Sequence, residues 1–150
     1  MKALLQRVTE AKVTVNGNTI ASIGRGVLLF LGIEQSDTPQ QAKDLCGRAI
    51  NYRIFPDQQG RMNLSLKSLG GSLLVVPQFT LAADTSTGAR ASFSKAAAPD
   101  TARELYSQFV VEASSTLGEG KVEQGKFGAD MQVGLINDGP VTFLLHSKAA

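Results

Sequence analysis

The sequence predicts an α+β fold: mostly antiparallel β-sheets backed by two main helices, with residues 1–150 forming a single domain. Three observations carry this. About eight or nine short apolar or alternating runs, bounded by glycine, proline and asparagine, read as strands. Two segments show apolar residues at helical spacing. Most successive strands have no helix between them, which argues against a doubly wound parallel sheet.

Leu4 to Thr9 is expected as a strand. Ala11, Val13 and Val15 alternate with Lys12, Thr14 and Asn16, the half-buried pattern. Asn16-Gly17 is a hairpin signal, and Thr19 to Ile23 is the returning strand. Gly24-Arg25-Gly26 reads as a tight turn. It is not a dinucleotide loop, because it precedes the strand Val27 to Ile33 and has Leu29 at the third glycine position. Asp37-Thr38-Pro39 starts a helix, continued by Ala42, Leu45, Ala49 and Tyr52, with Cys46 as a buried structural thiol beside the stripe. Arg53 to Phe55 is extended, Pro56 to Gly60 is a turn, and Arg61 to Leu66 is a short strand. Pro99 starts the second helix, with either the Thr101/Glu104 capping box or Asp100 as its cap, and Gly118 near its end. Lys121 to Gln124 is extended. Met131 to Leu135 forms a strand, Asn137 to Pro140 breaks it, and Val141 to His146 is the last strand.

The composition, 43% hydrophobic and 19% charged with a net charge of +2, is that of a soluble globular protein and permits an anionic partner without demanding one. The longest apolar run, Val27 to Ile33, is strand-sized, so no membrane partner is expected. No secretion signal is visible, and the expected location is cytoplasmic. The only histidine is His146 and the only cysteine is Cys46, which leaves no histidine-based triad and no zinc ligand set. Asp84, Asp130 and Asp138 are spaced irregularly and do not argue for a carboxylate pair. No metal and no cofactor are expected. An enzyme of this composition relies on backbone donors, positioning and a group on the substrate.

Two segments stand out. Leu73 to Val76 is a short continuous apolar run, the mark of a strand covered on both faces. Pro77 removes a ladder donor, and Gln78, Phe79 and Thr80 follow at the strand's exit. In Asn137-Asp138-Gly139-Pro140-Val141-Thr142, the glycine takes angles closed to other residues and the proline then fixes the chain. Taken alone, each segment also fits an ordinary strand end or turn.

Together the two segments resemble the D-aminoacyl-tRNA deacylase family, whose signatures are a Ser-Gln-Phe-Thr-Leu segment and a Gly-Pro-Val-Thr segment. The likeness extends to Gln6-Arg7-Val8, Tyr52 to Phe55, Met62-Asn63-Leu64, Ser92 to Lys95 and Ala129 to Val133. The resemblance implies a homodimeric hydrolase with active sites at the subunit interface. Such an enzyme cuts the ester between a D-amino acid and the 3′-terminal adenosine of tRNA without metal or cofactor. Gln78, Phe79 and Thr80 are then the catalytic segment. Gly139 and Pro140, joined by a cis peptide, project into the partner's site as the selectivity element. Arg90, Lys95 and Lys67 are candidates for the tRNA phosphates.

A rigid backbone wedge reads handedness at the α-carbon by obstructing an L side chain, and it has little with which to exclude glycine. Backbone N–H groups near Phe79 are placed to hold an oxyanion, the terminal ribose brings its own 2′-hydroxyl, and Thr80 ranks as an orienting hydroxyl ahead of a nucleophile. The sequence departs from the family at Pro77, which replaces a serine, and at Ala91, which replaces a proline. Two other readings stay open: a non-catalytic module that binds the tRNA end, and a hydrolase of a different aminoacyl ester or amide.

Overall fold

A computed structural model describes residues 1–149 of the chain. The first strand, β1 (Lys2–Val15), sets the frame. Its apolar pattern changes phase. Ala3 and Leu5 belong to one core, while Val8, Ala11 and Val13 belong to another. A bulge reconciles the two: Val8 pairs with Asn137 and Glu10 with Ile136, so Thr9 is an extra residue and the parity of the strand flips. The two strands expected from the sequence are therefore one element of 14 residues.

Asn16 (φ 50°) and Gly17 (φ 80°) turn the chain into β2 (Asn18–Ile23). Ala11 pairs with Ile23 and Val8 with Gly26, so β2 and β3 (Gly26–Gly32) lie along the same edge of β1. Gly24-Arg25 is thus a kink within one returning arm, and the tight turn expected there is corrected. The remaining elements are α1 (Pro39–Asn51), β4 (Arg53–Pro56), β5 (Met62–Ser65), α2 (Leu66–Leu69), β6 (Ser72–Pro77), a 3-10 turn (Phe79–Ala82), α3 (Pro99–Leu117), β7 (Val122–Gln124) and β8 (Gln132–His146).

The expectation of a mostly antiparallel sheet is also corrected. The main sheet is mixed: β1 pairs antiparallel with β2, β3 and β8, whereas β3 with β6 and β6 with β7 are parallel. The reason lies in the connections. The chain from β3 to β6 passes through α1, and the chain from β6 to β7 passes through α3. Each main helix is therefore a crossover, which lets the next strand re-enter in the same direction. The small β4–β5 hairpin forms a separate sheet.

One face of the sheet packs on the helices, with Leu5, Leu29 and Val75 meeting Leu45, Ile50 and Phe109. On the other face, Ile23 of β2 joins Leu28, Leu74 and Val76, with Val133 and Leu135 of β8 packed beside them, so the sheet curls toward a barrel and encloses a second core. β6 is buried on both sides as its continuous apolar run predicts, with Leu73 and Val75 facing the helices and Leu74 and Val76 the second core.

α1 is capped by Thr38, whose hydroxyl accepts from the Gln41 N–H (3.2 Å) while the Gln41 side chain accepts from the Thr38 N–H (2.8 Å). α3 begins differently from expectation. Ala98 is its N-cap and makes no side-chain bond, Pro99 supplies the pre-set first turn, and Asp100 sits within that turn. Tyr106 of α3 donates to the Val75 carbonyl (3.0 Å), fastening the helix to β6, and burial pushes its phenol above the ordinary range.

Met1 is buried, and its amine donates to Glu34 (2.9 Å), Asp37 (2.7 Å) and the Ser147 hydroxyl (2.9 Å), tying β1 to the start of α1. Burial pushes the Glu34 carboxyl up, but the hydrogen bond and charge of the amine bring it below the ordinary glutamate range. A carboxyl lowered on folding stabilises above its unfolded pKa, about 4.3, and loses that contribution as pH falls through its folded value. Glu34→Gln is expected to cost about 1 kcal/mol at neutral pH. In urea titrations at a series of pH values, the gap to the parent protein narrows below about pH 4 and closes once the parent carboxyl is protonated.

Candidate active site

β6 leaves the sheet beside the end of β3. Pro77 pairs with Leu31, and the Gln78 N–H donates to the Leu31 carbonyl (2.8 Å). Backbone groups alternate sides along a strand, so the nitrogen of Pro77 points to the β7 edge. There β7 has already ended, with Gln124 paired to Val75 and the Gly125 N–H donating to the Val75 carbonyl (2.8 Å). Proline is tolerated where β6 outruns its neighbour, and the Gln78 backbone stays in register.

The chain then folds into the 3-10 turn. Leu81 N–H donates to the Gln78 carbonyl (3.2 Å) and Ala83 N–H to the Thr80 carbonyl (3.1 Å). Gly32 makes room, since a Cβ there would lie 2.8 Å from the Leu81 Cβ and 3.1 Å from the Gln78 oxygen. The N–H groups of Phe79 and Thr80 head the turn and find no acceptor within it. The Gln78 side-chain amide donates to the Thr80 hydroxyl oxygen. An amide is not a base, so this contact orients the hydroxyl without activating it as a nucleophile. Beside the turn lies a largely apolar cavity of about 500 Å³, walled by Pro77, Gln78, Phe79, Ala97, Phe127 and Met131.

After the turn the chain forms a loop closed by the Asp84–Ser92 bridge, whose two backbone bonds are 2.7 and 3.0 Å. Hydrogen bonds from Ser86 hold the Asp84 carboxyl below its usual range, with Lys95 adding to the effect from 4.0 Å. Arg90 and Lys95 lie exposed on this loop. Lys67 lies elsewhere, on α2 just before β6 begins, so one chain does not bring it together with Gln78.

The second segment is a wide bulge in β8. Asn137 pairs with Val8 and Thr142 with Gln6, so residues 138–141 stand opposite Arg7 alone. The strand break expected at Asn137 to Pro140 is corrected, because β8 continues on both sides and pairing with β1 resumes after the bulge. Two clamps hold the bulge. Arg7, 11% exposed, donates from Nε to the Asp138 carbonyl (2.8 Å) and from Nη1 to the Ile54 carbonyl (2.7 Å), and lies 3.8 Å from the Asp138 carboxylate. The Asn137 side chain accepts from the Val141 N–H (2.7 Å) and donates to the Val141 carbonyl (3.3 Å) and the Thr142 hydroxyl (3.0 Å). Gly139 and Pro140 are joined by a cis peptide and exposed at the tip.

Arg7 and Asn137 were not singled out from sequence as site residues. Their only signal is a guanidinium between the core residues Leu5 and Val8, and an amide next to the glycine-proline pair. Gly32 was missed as well.

In one chain the two segments are far apart. Val133 lines the cavity and pairs with Val13, while the bulge faces Arg7. Four residues of β8 (137 − 133 = 4) separate Val133 from the start of the bulge at Asn137, about 13 Å at 3.3 Å per strand residue.

The other candidate groups stand aside. His146 is exposed at the end of β8, its carbonyl accepting from Arg48 (2.7 Å). Cys46 is buried, donates to the Phe109 carbonyl (3.6 Å), and has its thiol pushed up to about 12, chiefly by burial with Glu112 adding to it. It is not a nucleophile at neutral pH. Among the described residues no metal-ligating cluster of histidine, cysteine or carboxylate occurs.

The geometry at the tip predicts a cost for any side chain at position 139. A Cβ on Gly139 (φ +150°) would lie 2.6 Å from the Val141 Cγ2 and 2.7 Å from the Val141 nitrogen. Gly139→Ala is expected to lose about 1–3 kcal/mol in urea unfolding, whereas Gly88→Ala, open to solvent but also at positive φ (+67°), is expected to lose about 1 kcal/mol.

Comparison with known proteins gives consistent matches. A family model described as D-Tyr-tRNA(Tyr) deacylase matches residues 4–146. A D-aminoacyl-tRNA deacylase of Marinobacter nauticus is 63% identical over 147 residues, covering 98% of this chain and 94% of that protein. The enzyme of the same name from Escherichia coli O1:K1 is 54% identical over 146 residues, covering 97% and 99%. A solved structure described as the c-Myc DNA Unwinding Element Binding Protein superposes with a TM-score of 0.95 at 39% identity, over 99% of this chain and 100% of that one. A probable eukaryotic D-amino acid tRNA deacylase, at 19% identity and a TM-score of 0.84 over 96% and 97% of the two chains, shares the fold.

Proposed function

The chain belongs to the D-Tyr-tRNA(Tyr) deacylase family, and from that premise we propose how it hydrolyses the ester of D-aminoacyl-tRNA: in a site assembled from two copies of the chain. One copy supplies Gln78, Phe79 and Thr80, and the other supplies Gly139 and Pro140. A single observation supports this most strongly, the separation of about 13 Å along β8 between the cavity wall at Val133 and the start of the bulge at Asn137 within one chain. A second copy of the chain brings two halves so separated into one site. The exposed edge of β8, with Ile136 and Leu144 open to solvent, is a surface suited to such pairing.

The terminal adenine, a flat and largely apolar group, enters the cavity beside Phe79. This sets the ester carbonyl against the N–H groups at the head of the 3-10 turn. Water attacks the carbonyl carbon, and those N–H groups hold the oxyanion that forms. The bond to the ribose 3′-oxygen then breaks, and that oxygen takes the proton. The neighbouring 2′-hydroxyl assists the water, which is why no histidine is needed. Thr80, held by Gln78, orients the ester. Pro140 of the second copy occupies the space an L side chain would need, so D-esters enter and achiral glycyl esters are also cut. Arg90 and Lys95 of one copy and Lys67 of the other serve the tRNA phosphates. Among the described residues no helix is long and apolar enough to cross a membrane. The tRNA substrate is met in the cytoplasm.

Paired assays on D- and L-tyrosyl-tRNA test this reading. Release of D-tyrosine in large excess over L-tyrosine is expected, with glycyl-tRNA also hydrolysed. Equal turnover of the two tyrosyl esters, with the glycyl ester untouched, contradicts the wedge. Thr80→Ala is expected to slow turnover by less than about tenfold, the loss of one orienting hydrogen bond. Abolished turnover with intact tRNA binding would instead make Thr80 the nucleophile.

A further inference from the structure

Phe93 lies outside the cavity and takes no part in the chemistry above. Its ring is 45% exposed and tilts against that of Phe79, itself 65% exposed, with the centroids 5.2 Å apart. Two large rings left together in water form an apolar patch that calls for an explanation. Phe79 is part of the cavity wall, and so are Ala96 and Ala97, which follow closely after Phe93. Phe93 therefore extends the same aromatic surface outward past the cavity mouth. Its loop is tied down on both sides, by the Asp84–Ser92 bridge, by the Gln35 N–H to the Lys95 carbonyl (3.0 Å), and by the Ala96 N–H to the carbonyl of Phe93 itself (3.1 Å). Two exposed cations lie close to it in the chain, Arg90 before it and Lys95 after it.

We propose that Phe93 is a stacking platform for the base of the penultimate nucleotide at the tRNA 3′ end. This rests on the reading that the terminal adenosine occupies the cavity beside Phe79. A nucleotide next in the strand presents a flat face and a phosphate, and an exposed ring on an anchored segment that also carries Arg90 and Lys95 matches both. Aromatic stacking of this kind adds affinity without reading base identity, because every base has a π-face. The platform thus distinguishes an ester carried on a strand from an ester carried on a lone nucleoside.

The test compares two probes, adenosine and the trinucleotide CCA, titrated against the intact protein and its Phe93→Ala and Phe93→Trp variants. The parent is expected to bind CCA at least about tenfold more tightly than adenosine. Phe93→Ala loses most of that advantage, and Phe93→Trp keeps it. With D-tyrosyl-tRNA as substrate, Phe93→Ala raises KM by a similar factor while kcat changes little. Equal weakening of both probes would make Phe93 a prop for Phe79. Unchanged affinity for both, or a parent with no preference for CCA, would leave the ring without a nucleotide partner. Each of these outcomes overturns the platform. The binding comparison needs no turnover, so a failure to hydrolyse D-esters would refute the proposed function while leaving the stacking result to stand or fall separately.

Discussion

β1 is hydrogen-bonded along both edges, and the position of every functional segment follows from that constraint. One edge carries β3 and β2 in succession, and the other carries β8 over nearly the whole strand. A strand held on both sides cannot absorb a mismatch by shifting. The extra residues of β8 opposite Arg7 must therefore stand out from the sheet, and the Thr9 bulge must flip the faces of β1 between two cores. Arg7 makes the protrusion a defined structure by occupying the gap with a guanidinium bonded to two carbonyls on different elements.

The Gln78 segment depends on the same frame through β3. Because β6 runs parallel to β3 and is buried on both faces, its end is fixed within the core and is held further by Tyr106. What emerges is a short turn whose leading N–H groups have no acceptor within the turn, on a support anchored in the core. Rigid support for backbone donors is what an oxyanion site needs when no acid–base side chain is at hand. Pro77 fits this arrangement because its missing N–H faces an edge that has no partner strand.

Much of the fold was legible in the residues because the signals are local. Asn16-Gly17 announces its turn, Thr38-Pro39 its helix, and Leu73 to Val76 a strand covered on both faces. The parallel pairings were not legible, since they depend on where a strand returns after a helix and leave no periodic mark. The phase change in β1 looked like a boundary between two strands because a bulge and a boundary break alternation alike. The cap of α3 was misplaced for a related reason: two polar candidates follow Pro99, and backbone geometry selected Ala98 before it.

The sequence by itself determined the chemical inventory: one histidine, one cysteine, a Gln-Phe-Thr segment after a buried strand and a glycine-proline pair before the last one. That inventory argued against a histidine triad and a histidine–cysteine zinc site and pointed to a family. Only the tertiary structure decided which residues meet. It brought Arg7 to Asp138 across 131 positions, set Phe93 against Phe79, and set the glycine-proline bulge opposite Arg7, several strand residues from Val133 in the cavity wall. Distances of this kind depend on register and on bulges, which are settled by the packing of several strands at once and have no counterpart in any short stretch of chain.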